Sequence, residues 1–71
     1  MSENFLSQFG GKVRELRENK GLSQEKLAFE IGMDLTSVNE IEMGRRNTTL
    51  RTIVKLAKAL GVKPLELISN I

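Results

Sequence analysis

Apolar side chains return every three or four positions along the chain, the spacing of helices packed by one face. Phe5, Phe9, Val13 and Leu16 stand at i, i+4, i+8 and i+11 and predict a first helix ending before Gly21. Gly10 and Gly11 interrupt it, each at a cost of about 1 kcal/mol relative to Ala. Frayed first turns and firm helix from about Phe9 are therefore expected. Ser23 is a good N-cap for a second helix carrying Leu27, Ala28 and Ile31 and closed by Gly32. Asp34 caps a third, with Val38 and Ile41 inward and Gly44 beyond its end. Thr49 opens a fourth with Leu50, Ile53, Val54, Leu56, Ala57 and Leu60 before Gly61, and Pro64 begins a short fifth through Leu65 and Ile68. Sustained alternation and Asn-Gly or Asp-Gly pairs are missing, so strands are not expected. The pattern reads as an all-α domain of five short helices.

Helices two and three are the informative pair. A helix of about eight residues, the turn Gly32-Met33-Asp34 and a helix of about nine form a helix-turn-helix over residues 23–43. Ala28 is small where the helices cross, and Gly32 permits the turn. In such a unit the second helix enters the major groove of DNA.

Composition narrows the chemistry. A chain of 71 residues is one domain, 1–71. It has no His and no Cys, which removes the usual general base, the thiol nucleophile and ordinary zinc or iron–sulfur ligation. No catalytic residue, metal, cofactor or small-molecule ligand is expected: the chain reads as a binding module, not an enzyme. The lack of Cys fits a reducing cytoplasm, the expected location. The longest uncharged stretch, Asn4 to Gly11, is far short of the ~20 apolar residues of a membrane span. A domain this small is marginally stable alone. Helix five and the tail are apolar on more than one face, so helices four and five (50–69) are expected to dimerise through Leu65, Ile68 and Ile71.

The formal charge of +2 conceals a division. Gly21 to Glu42 holds one Lys against five acids, whereas Met43 to Pro64 holds Arg45, Arg46, Arg51, Lys55, Lys58 and Lys63 and no acid. Phosphates would be met by the second segment and repelled by the first.

Four stretches together resemble one family: Gly21-Leu22-Ser23-Gln24-Glu25-Lys26-Leu27-Ala28; Gly32; Ile41-Glu42-Met43-Gly44-Arg45-Arg46-Asn47; and Leu56-Ala57-Lys58-Ala59-Leu60-Gly61-Val62. They are similar to the xenobiotic-response-element (XRE) family, the Cro- and phage-repressor-type helix-turn-helix proteins with a five-helix, lambda-repressor-like fold. The resemblance covers about residues 9 to 69. It implies a homodimeric transcriptional regulator, repressor-like, on a palindromic operator of double-stranded DNA. Arg45-Arg46-Asn47 before Thr49-Leu50 is similar to controller proteins of restriction–modification systems.

The resemblance also implies roles. Leu35, Thr36, Ser37, Asn39 and Glu40 match the positions that meet base edges. The Thr methyl suits a thymine methyl, Asn can read adenine, and Glu can accept from cytosine N4. Ser23 and Gln24 match a phosphate contact at a helix N-terminus, and Arg45, Arg46, Asn47 and Arg51 flank the DNA backbone. Arg17 and Glu42 match two positions that pair between helices one and three. Leu35, Glu40 and Met43 depart from the commoner polar or basic residues of the family. Phe29, usually polar there, reads either as an exposed apolar contact or, by a small margin, as packing against helix one. The acidic segment and Phe29 keep an alternative in play: an antitoxin or adaptor of the same fold that binds protein and little DNA.

Overall fold

A computed structural model describes residues 2–69. Five helices follow one another: α1 (Ser2–Asn19), α2 (Gln24–Ile31), α3 (Leu35–Glu42), α4 (Leu50–Leu60) and α5 (Pro64–Ile68). Local chemistry sets their ends. Ser23 Oγ accepts from the Lys26 N–H, an Asp34 carboxylate oxygen from Ser37 N–H, and Thr49 Oγ1 from Thr52 N–H. Each such cap is worth about 1 kcal/mol. Gly32 and Gly61 close α2 and α4 in the left-handed conformation, φ 71° and 74°, a region costly for other residues.

One core joins all five helices: Phe9 and Val13 from α1, Leu27, Ala28 and Ile31 from α2, Val38 and Ile41 from α3, Leu56, Ala57 and Leu60 from α4, and Leu67 from α5. Within α4 a single stripe points inward. Leu50 and Val54 lie on one flank of it and are exposed, 79% and 54%. They therefore depart from the inward helix-four set that spacing alone suggests.

The first helix also differs from expectation. It is continuous from Ser2, and its two glycines do not fray it. Gly10 is buried where α1 crosses the end of α3: a Cβ there would collide with the Ile41 carbonyl oxygen and lie 2.7 Å from that of Glu42. The missing side chain is what lets the two backbones touch. The gain from that crossing offsets the helix-propensity cost. Next to it, a Cβ on Gly44 (φ 73°) would lie 2.8 Å from the Ser7 Cα. The chain leaving α3 is thus pressed against α1.

Candidate nucleic-acid interface

A buried polar cluster sets the angle between α2 and α3. Glu42, at the end of α3, has a side chain only 2% exposed. Its carboxylate accepts from Arg17 Nε at 2.6 Å, Arg17 Nη2 at 3.1 Å and Gln24 Nε2 at 2.9 Å. Arg17 Nη1 also donates to the Leu22 carbonyl at 2.7 Å. Glu42, through its hydrogen bond first, raises the Arg17 pKa above its usual value against the opposing effect of burial. The Glu42 carboxylate joins three helices, and Arg17 adds the corner between α1 and α2. The Arg17–Glu42 pairing expected from the resemblance is present; the part played by Gln24 was not anticipated. Its amide has a second hydrogen that this bond does not use.

Around that cluster α3 turns its other side outward. Thr36 and Asn39 are exposed, Leu35 is 42% exposed, and the Glu40 side chain is also 42% exposed. Ser37 departs from the expectation that it meets bases: it is 8% exposed, on the inward side with Val38 and Ile41, and it is taken up by the Asp34 cap. Hydrogen bonding from Ser37 is the main reason the Asp34 carboxyl is held below its ordinary range, with a smaller contribution from the charge of Arg46.

Beyond α3, Arg45 and Asn47 are exposed in the loop, and Arg51 is exposed in the first turn of α4. Arg46 bends back instead, its Nε 3.4 Å from Glu40 Oε1. Two of the five acids of the 21–42 segment are therefore neutralised by arginines from outside it, Glu42 by Arg17 and Glu40 by Arg46. The repulsion implied by linear charge counting is correspondingly smaller at the outward face.

Two expectations concern apolar surface. Phe29 does not pack against α1. It points away from the buried stripe of α2, is 80% exposed, and carries Lys26 Nζ 5.9 Å from its ring centre. It borders a shallow groove of about 840 Å³ together with Lys20, Lys55 and Lys58. On α5, Leu65 and Ile68 are 69% and 38% exposed; Ile71 lies outside the described residues. Among the described residues no group of His, Cys, Asp and Glu could hold a metal ion, and no helix is long and apolar enough to cross a membrane.

Two short helices joined through the Gln24–Glu42 hydrogen bond and tied to α1 by the buried Arg17–Glu42 ion pair, with the second presenting an outward polar face beside a basic loop, define a helix-turn-helix DNA-binding domain. The helix-turn-helix family profile matches residues 13–67, and the chain belongs to that family. It is 48% identical over 69 residues to the control protein C.BamHI of Bacillus amyloliquefaciens, covering 96% of this chain and 85% of that protein. It is 42% identical over 64 residues to the control protein C.MunI of a Mycoplasma species, covering 89% and 86%. The crystal structure of the restriction–modification controller protein C.AhdI from Aeromonas hydrophila superposes with a TM-score of 0.85 at 53% identity, over 87% of this chain and 94% of that one. The chain is accordingly a DNA-binding transcriptional regulator and not an enzyme.

Proposed function

We propose that the chain acts in the cytoplasm as a homodimer on a two-fold symmetric operator and controls the genes of a restriction–modification system. The observation that carries this reading is the outward face of α3, framed by exposed Arg45, Asn47 and Arg51 and by the capped N-terminus of α2. Leu35, Thr36, Asn39 and Glu40 supply the groove-facing side chains. Ser23, Gln24, Arg45, Asn47 and Arg51 hold phosphates, which fixes register without selecting sequence. Ser23 and Gln24 do so at a helix N-terminus, where amide groups and the helix dipole favour an anion.

The dimer follows from size and surface. Half-sites read from one side of a duplex lie about 34 Å apart, more than the 30 Å longest extent of the described fold. A second copy is needed to reach the second half-site. Leu50, Val54, Leu65 and Ile68 offer exposed apolar area on two helices that pack together, and a two-fold interface would use the same patch on both copies. The exposed Leu50 and Val54 thus join the side chains the sequence suggested.

Selecting bound duplexes from a random pool, with sedimentation of the protein alone and bound, tests this. A two-fold symmetric consensus occupied by two copies is the expected result. An asymmetric consensus filled by a single copy would overturn the dimer; recovery of no consensus would overturn sequence-specific reading and return the adaptor alternative.

A further inference from the structure

The loop after α3 carries two adjacent arginines that behave differently. Arg45 is exposed. Arg46 folds back along the outer side of α3, its side chain 38% exposed and its Nε 3.4 Å from Glu40 Oε1. Glu40 is one helical turn from Thr36, so the guanidinium lies over the outward face. Its field extends to Asp34, the cap at the other end of the same helix. A phosphate anchor has no need of this direction; exposed charges such as Arg45 and Arg51 serve backbone contacts without it.

Resting on the DNA-binding reading above, we propose that Arg46 is a base-reading residue specific for guanine and that Glu40 is the positioning residue that aims it. The chemistry follows from which nitrogen is engaged. The ion pair uses Nε and leaves the two terminal nitrogens, a planar fork that matches guanine O6 and N7. Both partners are too exposed for the pair to add much stability. What it supplies is orientation: a long side chain that would otherwise sample many rotamers is held over the groove-facing side. This changes the role of Glu40, whose carboxylate serves the arginine in place of cytosine N4. It also supplies the acid-rich reading helix with a cation that a linear charge count assigns elsewhere.

The test compares wild type with Arg46→Lys, Arg46→Ala and Glu40→Gln on the consensus selected from the random pool, with affinity followed against salt concentration. Both positions are partly exposed at the surface, and circular dichroism melting verifies that the three variants fold. Arg46→Lys keeps the charge, so its salt dependence is expected to match wild type while preference for guanine at one position per half-site falls roughly 5- to 150-fold, the worth of a bidentate contact. Replacing that guanine by 7-deazaguanine, which lacks the N7 acceptor, is expected to weaken wild type strongly and Arg46→Lys little. Glu40→Gln is expected to leave guanine preferred but less sharply.

The proposal is overturned if Arg46→Lys retains full guanine preference. It is overturned equally if Arg46→Ala weakens every duplex alike and lowers the salt slope by about one charge, the signature of a phosphate contact. If Glu40→Gln changes the preferred base while Arg46→Lys does not, Glu40 is itself the reader. Failure of wild type to select any consensus would remove the DNA-binding reading instead, and is distinguishable from all of these.

Discussion

Residues 21–42 and residues 43–64 make opposite offers to a polyanion. The first holds the reading helix and a net charge of −4; the second holds six basic residues and no acid. The fold does not leave them as separate blocks. Arg17 comes across from α1 to neutralise Glu42, and Arg46 folds back to meet Glu40. The two arginines serve different ends. Arg17 is buried and ties helices together, whereas Arg46 is half-exposed and shapes the surface. The difference teaches that charge along the chain is a poor guide to charge at a surface.

The largest effect that would break this comparison is expected at Glu42. Glu42→Ala leaves the buried Arg17 guanidinium only the exposed Glu18 carboxylate at 3.8 Å and the Leu22 carbonyl, and frees Gln24; it should cost up to about 3–5 kcal/mol, read as a lowered urea midpoint. Replacing Arg17 and Glu42 together by well-packed apolar residues should recover much of that loss, because desolvation of the pair is then avoided.

Next in size is the contrast between neighbours on α3. Thr36→Ala should alter preference at one base position by roughly 1–3 kcal/mol while other positions keep their rank. Ser37→Ala should leave the selected consensus unchanged, since that side chain faces inward; a changed consensus would show that it turns out on binding. In the basic segment, Arg45→Ala should weaken all duplexes alike and lower the salt slope by about 0.9, the share of one phosphate.

The smallest effect concerns pH. Asp34 has a depressed pKa in the folded chain, so its ionised form favours folding above its unfolded pKa, and that contribution is lost as pH falls through the folded value. Asp34→Asn keeps a capping oxygen. Its stability should therefore fall less between neutral and acid pH than that of wild type, in parallel denaturant titrations.

Much of the architecture was legible because it is written in neighbouring residues. Ser23, Asp34 and Thr49 cap helices from immediately before them, and Gly32 and Gly61 end helices from immediately after. The apolar spacing of Leu27, Ala28 and Ile31, then Val38 and Ile41, was enough to find the reading unit. What escaped were quantities set by partners distant in the chain. Gly10 looks like a defect in α1 until the carbonyls of Ile41 and Glu42 are placed against it. The exposure of Phe29 and the burial of Ser37 are set by tertiary packing, which fixes the orientation of a short helix. For Phe29 a cue existed: it lies opposite the centre of the Leu27, Ala28 and Ile31 stripe, where an apolar residue can only be exposed. The direction of Arg46 had no local signal, since a loop side chain is free until a carboxylate claims it.

The contact between Gly44 and Ser7 has a practical consequence for anyone handling this molecule. The backbone that launches Arg45 and Arg46 rests on the second turn of α1, so that turn works as a backstop. Crowding it with a bulky label or a splinted fusion should swing the loop and blur binding without touching a single DNA-facing atom. A reporter dye is better attached to Glu15, exposed further along the same helix, than to Lys12, whose ammonium donates to the Ser69 carbonyl at 3.0 Å.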